Sequence, residues 1–168
     1  MHYVLIYMAT LVAANLAVAW FGPAVTPIVA FLLIGLDLSL RDRLHDLWQG
    51  RNLWPRMLFL IASAGLVSYL LNPASGAIAV ASVVAFGLAS LADAATYQAL
   101  AQRSWIVRAN GSNFVGATVD SLIFPLLAFG ALMPSIILAQ LAAKVIGGMV
   151  WALFIARFGG ATTTSRPA

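Results

Sequence analysis

The sequence predicts an all-α integral membrane protein, a bundle of six transmembrane helices with both termini in the cytoplasm. Of its 168 residues, 62% are hydrophobic and only 8% are charged, whereas about a quarter of the residues in soluble domains are charged. Apolar runs bounded by Gly, Pro, Asn or charged residues are each close to the length of about 20 residues that one membrane crossing needs. Six such runs use up nearly the whole chain.

The predicted spans occupy residues 3–21, 24–42, 56–71, 76–100, 110–130 and 134–156. The first has no basic segment of the kind that begins a signal peptide, so we expect it to be retained as a helix. Gly22-Pro23, Asn72-Pro73 and residues 130–134 form three short turns without charge. The fourth span is long for a simple crossing, so we expect it to tilt or to extend into the cytoplasm. Residues 1–158 thus form one predicted transmembrane domain, and residues 159–168 a disordered cytoplasmic tail.

The arginines mark the predicted cytoplasmic side. All of them fall in the connections at 41–56 and 103–108 or in the C-terminal region, at Arg41, Arg43, Arg51, Arg56, Arg103, Arg108, Arg157 and Arg166. Because cytoplasmic loops are rich in Lys and Arg, this pattern predicts a multi-pass protein of the inner (plasma) membrane with both termini inside. The net charge of +4 is then explained by topology and by lipid headgroups, and nucleic-acid binding is not expected.

Several classes of function are disfavoured by what the chain lacks. It has no cysteine and two histidines, which rules out disulfides and thiolate metal sites and argues against a metal centre. It has no GxxxxGK(S/T), HExxH or GxSxG motif, so we expect neither an enzyme nor a bound cofactor. A small polytopic protein with buried polar residues is then most simply a carrier for a small molecule. Its oligomeric state stays open, a homo-oligomer included.

The most informative segment is 107–124, predicted as a basic, amide-rich loop that leads into an apolar helix carrying one carboxylate, Asp120. A carboxylate at membrane depth needs a partner, water or a substrate. Asn113, Gly116, Asp120 and Phe124 recur at steps of three and four and therefore share a helix face, which Ser112 adjoins. Such a face suits a flat polar heterocycle. With Lys144, expected at the same depth on the next span, the candidate substrate-binding residues are Ser112, Asn113, Gly116, Asp120, Phe124 and Lys144.

Two other interpretations of Asp120 stay open. The carboxylate and Lys144 can form a salt bridge that only locks two helices, since charges in lipid usually pair. Alternatively, a desolvated carboxylate can take up and release a proton during transport, although Lys144 nearby would oppose this role.

Further polar and small residues complete the predicted bundle. Asp37, Arg41, Asp93 and Arg108 are candidates for gating or coupling, because each lies near the inner end of a span. The residues Asp42, Arg43, His45 and Asp46 are interpreted as a solvated cytoplasmic helix end. Asn15 and Gln140 are expected to make helix-to-helix hydrogen bonds, and the small residues Ala9, Ala13, Ala17, Gly147 and Gly148 to let helices approach closely.

Two blocks of the sequence resemble a known family. IGLDLSLRDRLHDLW ends the second span, and RSWIVRANGSNFVGATVDSLIFPLLAFG covers the fifth. Together with the six-span layout they are similar to the VUT family of queuosine-precursor transporters. The family's hallmark corresponds here to Arg108, Ser112, Asn113, Gly116, Asp120, Ser121, Ile123 and Phe124. This chain departs from the family in lacking glutamate, with Asp37, Arg41, Asp42 and Arg43 at the end of the second span.

The resemblance implies import of 7-cyano-7-deazaguanine or a related 7-deazapurine by alternating access. Asp120 would then accept the ring N–H and the exocyclic amine, Asn113 would face the carbonyl edge, and Phe124 would stack on the ring. Two alternatives remain. One is the substrate-binding membrane subunit of an ATP-driven (ECF-type) vitamin uptake system, which would dock through the ridge of Ala9, Ala13 and Ala17. The other is a structural or assembly protein without a ligand.

Overall fold

In the computed structural model, which describes residues 2–48 and 52–158, all regular secondary structure is helical. The helices are α1 His2–Phe21, α2 Thr26–Val29, α3 Gly35–Trp48, α4 Leu53–Leu71, α5 Gly76–Ala99, α6 Trp105–Phe129 and α7 Pro134–Phe158. The predicted all-helical membrane architecture is confirmed. The predicted tail at 159–168 lies outside the described residues.

The second span is built from several helical pieces that follow one another without a break. A 3-10 turn at Pro23–Val25 leads into α2, a π-helical turn at Ala30–Ile34 follows, and α3 completes the span. The residues at each junction keep right-handed helical dihedral angles. We call the whole stretch 23–48 the second span. A single π turn inside a helix changes the direction of the side chains that follow it, and such turns are frequent at functional sites.

The helices have the length and composition of membrane spans. Among the described residues, five segments are long and apolar enough to cross a bilayer, at His2–Phe21, Pro23–Arg41, Pro73–Ala99, Asn110–Phe129 and Pro134–Trp151. Pro55–Leu71 in α4 is a shorter apolar helix. Large apolar side chains such as Phe59, Leu91 and Leu138 are strongly exposed on the outside of the bundle. These side chains suit contact with lipid. The helical backbone also suits lipid, because an α-helix satisfies its own backbone hydrogen bonds in the absence of water.

The three predicted uncharged turns are confirmed, and so is the helix end at residues 42–46. The basic connection before the fifth span is shorter than predicted. Helix α3 continues to Trp48, and α6 already begins at Trp105. The prediction of a loop at the start of segment 107–124 is therefore wrong. The extended backbone of Ser104 starts α6, and nothing between it and Asn113 forces the chain out of a helix. A helix that continues past the bilayer keeps its backbone bonded while its polar side chains reach water.

Two apolar clusters of buried residues hold the bundle together. The larger lies between α1, α3 and α4 and consists of Tyr7, Leu11, Leu40, Leu44, Met57, Leu60, Ile61 and Ala64. The smaller lies towards the other end of the bundle and consists of Ala14, Val18, Val29 and Ile78. Elsewhere α5 packs along most of α6, and α7 packs against both α3 and the π turn.

The contact between α7 and the second span is a backbone contact made by glycines. A Cβ atom added to Gly147 would lie 2.5 Å from the carbonyl oxygen of Phe31, and one added to Gly35 would lie 2.6 Å from the carbonyl carbon of Gly147. The hydroxyl of Ser39 donates to the carbonyl oxygen of Gly148 at 3.3 Å across the same contact. The prediction that Gly147 and Gly148 allow close helix packing is confirmed.

We expect Gly147→Ala to lower the free energy of unfolding by about 1–3 kcal/mol, the usual cost of overpacking, because the added methyl group meets backbone atoms that have no rotamer to change. The measurement is denaturant-induced unfolding of the purified protein in detergent micelles. Gly87→Ala is the matched control, since a Cβ there meets no atom within 4 Å. Equal stability of the two variants would contradict the close approach of α7 to the second span.

Candidate functional site

Helices α6 and α7 bring Asp120 and Lys144 together. Lys144 lies about 15 Å along α7 from Pro134, and Asp120 about 14 Å from the last residue of α6, at a rise of about 1.5 Å per residue. Because α6 and α7 follow each other through the short turn at 130–133, the two charges meet at one depth, as predicted. Lys144 Nζ lies 2.5 Å from Asp120 Oδ2.

All three N–H groups of the Lys144 ammonium have acceptors. Besides Asp120 Oδ2, Nζ donates to Ser121 Oγ at 3.0 Å and to Gln140 Oε1 at 3.4 Å. The side chain is only 5% exposed. A buried cation is tolerated when a counter-charge neutralises it and hydrogen bonds occupy its donors. Both conditions hold for Lys144.

The hydrogen bonds continue from Lys144 to the second span. Gln140 Nε2 donates to Thr26 Oγ1 at 3.0 Å, and the Thr26 hydroxyl donates to the carbonyl oxygen of Pro23 at 2.7 Å. The prediction that Gln140 joins two helices is confirmed, as it is for Asn15, whose Nδ2 donates to Ser68 Oγ on α4 at 3.2 Å. The polar network thus connects α6, α7 and the second span.

The Asp120 carboxylate remains accessible despite its salt bridge. Its side chain is 26% exposed, compared with 5% for Lys144. Each carboxylate oxygen can accept two hydrogen bonds, so contact with one ammonium leaves capacity for a further donor. A neutral ligand with adjacent N–H groups suits such a carboxylate.

A proline one turn beyond Asp120 modifies the same part of α6. Pro125 is buried inside the helix and has no backbone N–H, so the carbonyl of Ser121, four residues earlier, loses its usual helical donor. Ser121 therefore carries a hydroxyl that accepts from Lys144 and a carbonyl that lacks this donor. The hydroxyl and the carbonyl belong to the residue that directly follows Asp120 in the sequence.

The other residues of the predicted α6 face lie in different surroundings. Gly116 faces α5, where an added Cβ would lie 3.3 Å from both Ala89 O and Asp93 Cβ. Phe124 makes an edge-to-face contact with Phe129 at 6.2 Å and packs against the smaller apolar cluster. Asn113 is exposed, and Ser112 is buried. The predicted common face is therefore divided between different neighbours. Positions three and four residues apart cover a wide part of the helix surface, and α6 packs against α5 on one side and α7 on another.

The candidates for gating lie apart from the Asp120–Lys144 pair. Asp37 and Arg41 are one turn apart on α3, where Asp37 is buried and the Arg41 guanidinium lies 5.7 Å from the ring centre of Phe86 on α5. Asp93 lies against Gly116 between α5 and α6. The side chain of Arg108 lies outside the described residues, as do those of Asp42, Arg43, His45 and Asp46.

No group of three or more His, Cys, Asp or Glu side chains comes together in the described parts of the chain. A groove of about 430 Å³ opens near the N-terminal ends of α1 and α4, lined by Val4, Arg56 and Phe59 among others. It contains none of the predicted substrate-binding residues. The polar network around Lys144 is therefore the candidate site.

Sequence reasoning did not assign three residues of these polar regions to a site. Ser121 follows Asp120 directly and is the second acceptor for Lys144. Thr26 had no signal in the sequence, because only the fold brings it to Gln140. Tyr7, which is buried on α1 close to Asp37 and Arg41, carries the general signal of a polar atom at membrane depth.

Comparison with known proteins identifies the family. A family model described as "putative vitamin uptake transporter" matches residues 3–158. No curated protein and no solved structure is significantly similar to the chain. The matched region includes all the described helices except for His2, so this multi-pass membrane protein belongs to the VUT family of vitamin uptake transporters.

Proposed function

We propose that this protein imports a 7-deazapurine precursor of queuosine, 7-cyano-7-deazaguanine or a close relative, across the inner membrane by alternating access. The observation that carries this proposal is the pair of Asp120 and Lys144, a charged centre deep between α6 and α7 with a partly accessible carboxylate. Charged groups at membrane depth commonly mark a substrate or ion pathway. The two sequence blocks that resemble queuosine-precursor transporters supply the substrate class.

The chemistry of Asp120 fits one edge of such a ligand. A 7-deazaguanine presents a ring N–H beside an exocyclic amine, and one carboxylate can accept both hydrogen bonds, as acidic side chains accept from base edges. Lys144 keeps the site electrically neutral, so a neutral heterocycle enters without leaving an unbalanced charge in the membrane. Because Asp120 is held in an ion pair with Lys144, we favour ligand binding over proton carriage for this carboxylate.

Contact with the remaining candidates requires a change in conformation. Gly116 is covered by Ala89 and Asp93 of α5, so a ligand reaches the Gly116 side of α6 only when α5 and α6 separate. We propose that this separation exposes Ser112, Gly116 and Phe124 to the substrate, with Asn113 at the carbonyl edge. Asp37, Arg41, Asp93 and Arg108 would line the inner gate.

The proposed orientation in the membrane follows from the arginines. Arg41 lies in the inner part of α3, Arg56 in the first turn of α4, Arg103 between α5 and α6, and Arg157 in the last turn of α7. With alternating helix directions these positions share one end of the bundle. The positive-inside rule then supports a cytoplasmic location for that end and for both termini.

Exchanging the charges of Asp120 and Lys144 distinguishes a ligand contact at Asp120 from a purely structural salt bridge. The single variants Asp120→Lys and Lys144→Asp should each lower the free energy of unfolding by about 3–5 kcal/mol, because a buried charge loses its counter-charge. The double variant should recover most of this loss. Its uptake of 7-cyano-7-deazaguanine should nevertheless stay roughly ten- to a hundredfold below wild type, since a bidentate contact is worth about 1–3 kcal/mol.

The measurements are unfolding in micelles and uptake into vesicles, made on the same four proteins. Asn15→Ala is a control that removes an interhelical hydrogen bond distant in sequence from the pair. It should lower stability slightly and leave the affinity for substrate unchanged. If the charge-exchanged protein regains both stability and uptake, the pair is structural and Asp120 is not a ligand contact.

The substrate assignment is tested in cells that cannot make the queuosine precursor. Expression of the wild-type protein should restore queuosine in tRNA at low external 7-cyano-7-deazaguanine, and Asp120→Asn should reduce this rescue, because an amide cannot accept both N–H bonds. The readout is the queuosine content of isolated tRNA. Wild-type protein that is present in the membrane but never restores queuosine would refute the substrate assignment.

A second candidate function is supported by the surface of α1. Ala9 and Ala13 are exposed there and Ala17 is half-buried, so this ridge of small side chains can receive another helix at close range. Such a surface fits a substrate-binding subunit that docks onto a separate ATP-driven module. Under this alternative the ligand site is the same, and only the energy source differs.

Substitution of Ala13 by tryptophan distinguishes the two candidates. For a solitary carrier we expect uptake by Ala13→Trp to remain within about twofold of wild type, because the exposed site accommodates the ring without overpacking the core. Ala62→Trp, also at an exposed alanine but on α4, is the matched control. Loss of both uptake and partner co-purification in Ala13→Trp alone would instead favour the ATP-driven subunit.

A further inference from the structure

A second polar centre lies between α1, α3 and α5. The Tyr7 side chain is fully buried among Leu40, Leu44 and other members of the larger apolar cluster. On α3, Asp37 is 4% exposed, and Arg41 extends over the ring of Phe86, which itself packs against this cluster. Leu40 and Leu44, which share this cluster with Tyr7, lie three residues after Asp37 and Arg41, respectively, on α3. A phenol, a carboxylate and a guanidinium therefore share one region of an otherwise apolar core.

Two hydrogen-bond donors in this centre are unused. Tyr7 Oη and Arg41 Nε are buried and have no hydrogen-bond partner among the residues that the structure describes. Native proteins satisfy the great majority of their buried polar atoms, and an exception calls for a specific explanation such as a water molecule or a ligand. Two such donors in one region of the core leave capacity for an acceptor-bearing ligand.

The second centre lies deeper than the Asp120–Lys144 pair, measured from the same end of the bundle. The reference is the end of the bundle where α1 finishes at Phe21 and α7 begins at Pro134. Tyr7 and Asp37 are each about 20 Å from this end along α1 and the second span, whereas Lys144 is about 15 Å from it along α7. The difference is about one helical turn towards the proposed cytoplasmic side. The π turn at Ala30–Ile34 separates Thr26, which belongs to the Lys144 network, from Asp37 and Arg41.

We propose that Tyr7 and Arg41, with Asp37 as counter-charge, form a second, inner binding site for the hydrogen-bond acceptor edge of the transported heterocycle. This inference rests on the proposed function. In 7-cyano-7-deazaguanine the ring carbonyl and the nitrile lie side by side, and both accept hydrogen bonds. A hydroxyl and a guanidinium supply donors for both, as Arg does for the carbonyl edge of guanine in base recognition.

The two centres then contact opposite edges of the ligand in different states of the protein. Asp120 accepts from the N–H edge, and Tyr7 and Arg41 donate to the acceptor edge. Asp37 balances the charge of Arg41, so this site also receives a neutral ligand without a net charge. The aromatic ring of Phe86 stabilises the guanidinium before the ligand arrives.

Tyr7→Phe tests the inference, because it removes the hydroxyl and keeps the ring. We expect 7-cyano-7-deazaguanine to bind about tenfold more weakly, as for the loss of one hydrogen bond in a dry site, and 7-deazaguanine, which has no nitrile, to be affected less. Without ligand the variant should be at least as stable as wild type, since it loses an unsatisfied buried polar atom. Tyr69→Phe, at an exposed tyrosine on α4, is the control. Affinity and thermal stability are measured on the full chain in micelles.

Some outcomes overturn the inner site alone, and one refutes the proposed function as well. Unchanged affinity of Tyr7→Phe, or equal weakening in Tyr69→Phe, overturns the inner site while leaving the proposed function intact. A Tyr7→Phe protein that is less stable without ligand, yet binds normally, shows that the hydroxyl holds a structural water, which also overturns the inner site. Wild-type protein that binds no 7-deazapurine refutes the proposed function and this inference together. If Tyr7→Phe does not fold, Arg41→Lys, which keeps the charge and removes Nε, must show the same selective weakening.

Discussion

The arrangement of α6, α7 and the second span depends on one requirement, that the Lys144 ammonium be neutralised and fully hydrogen-bonded inside an apolar bundle. An unpaired charge at this depth costs several kcal/mol. Lys144 meets the requirement with Asp120 and Ser121 from α6 and with Gln140 from its own helix. Because all three donors are used, sliding α6 along α7 by one turn would leave at least one of them without an acceptor. The network therefore fixes the relative position of these two helices more strictly than apolar packing in lipid can.

Close backbone packing is what extends this network to the second span. The Gln140 side chain on α7 bonds to Thr26 on the second span. The distance it must cover is short, because Gly35 and Gly147 allow the backbones of α7 and the second span to touch. Glycine in a helix costs about 1 kcal/mol relative to alanine, and in lipid there is no hydrophobic force between helices to offset it. Packing contacts and interhelical hydrogen bonds provide the association instead. The glycines and the polar network thus support each other at one helix crossing.

Much of the fold, and the central pair of the site, follows from the sequence for physical reasons. Apolar runs of membrane length determine the spans, and Gly22-Pro23 and Asn72-Pro73 end helices because their backbones cannot continue them. Asp120 and Lys144 could be paired in advance because a short turn makes their helices antiparallel, so depth alone brings them together. The start of α6 could not be predicted, since polar residues beyond the bilayer are compatible with either a loop or an exposed helix. Contacts between helices distant in sequence, such as Thr26 with Gln140 or Arg41 with Phe86, depend on helix rotation, which hydropathy does not determine.

The second span connects the two polar centres, and its π turn lies between them. Thr26 is hydrogen-bonded to the Lys144 network, while Asp37 and Arg41 lie beyond the turn in the second centre. In a continuous α-helix these positions would keep a fixed angular relation, whereas the extra residue of a π turn changes that relation, and such turns are frequent at functional sites. The glycine contact of Gly147 with Phe31 holds α7 against the turn itself. A rearrangement at residues 30–34 would therefore change how the Asp120–Lys144 network and the Tyr7–Asp37–Arg41 centre are oriented relative to each other. The proposed transport by alternating access would require coupling of this kind.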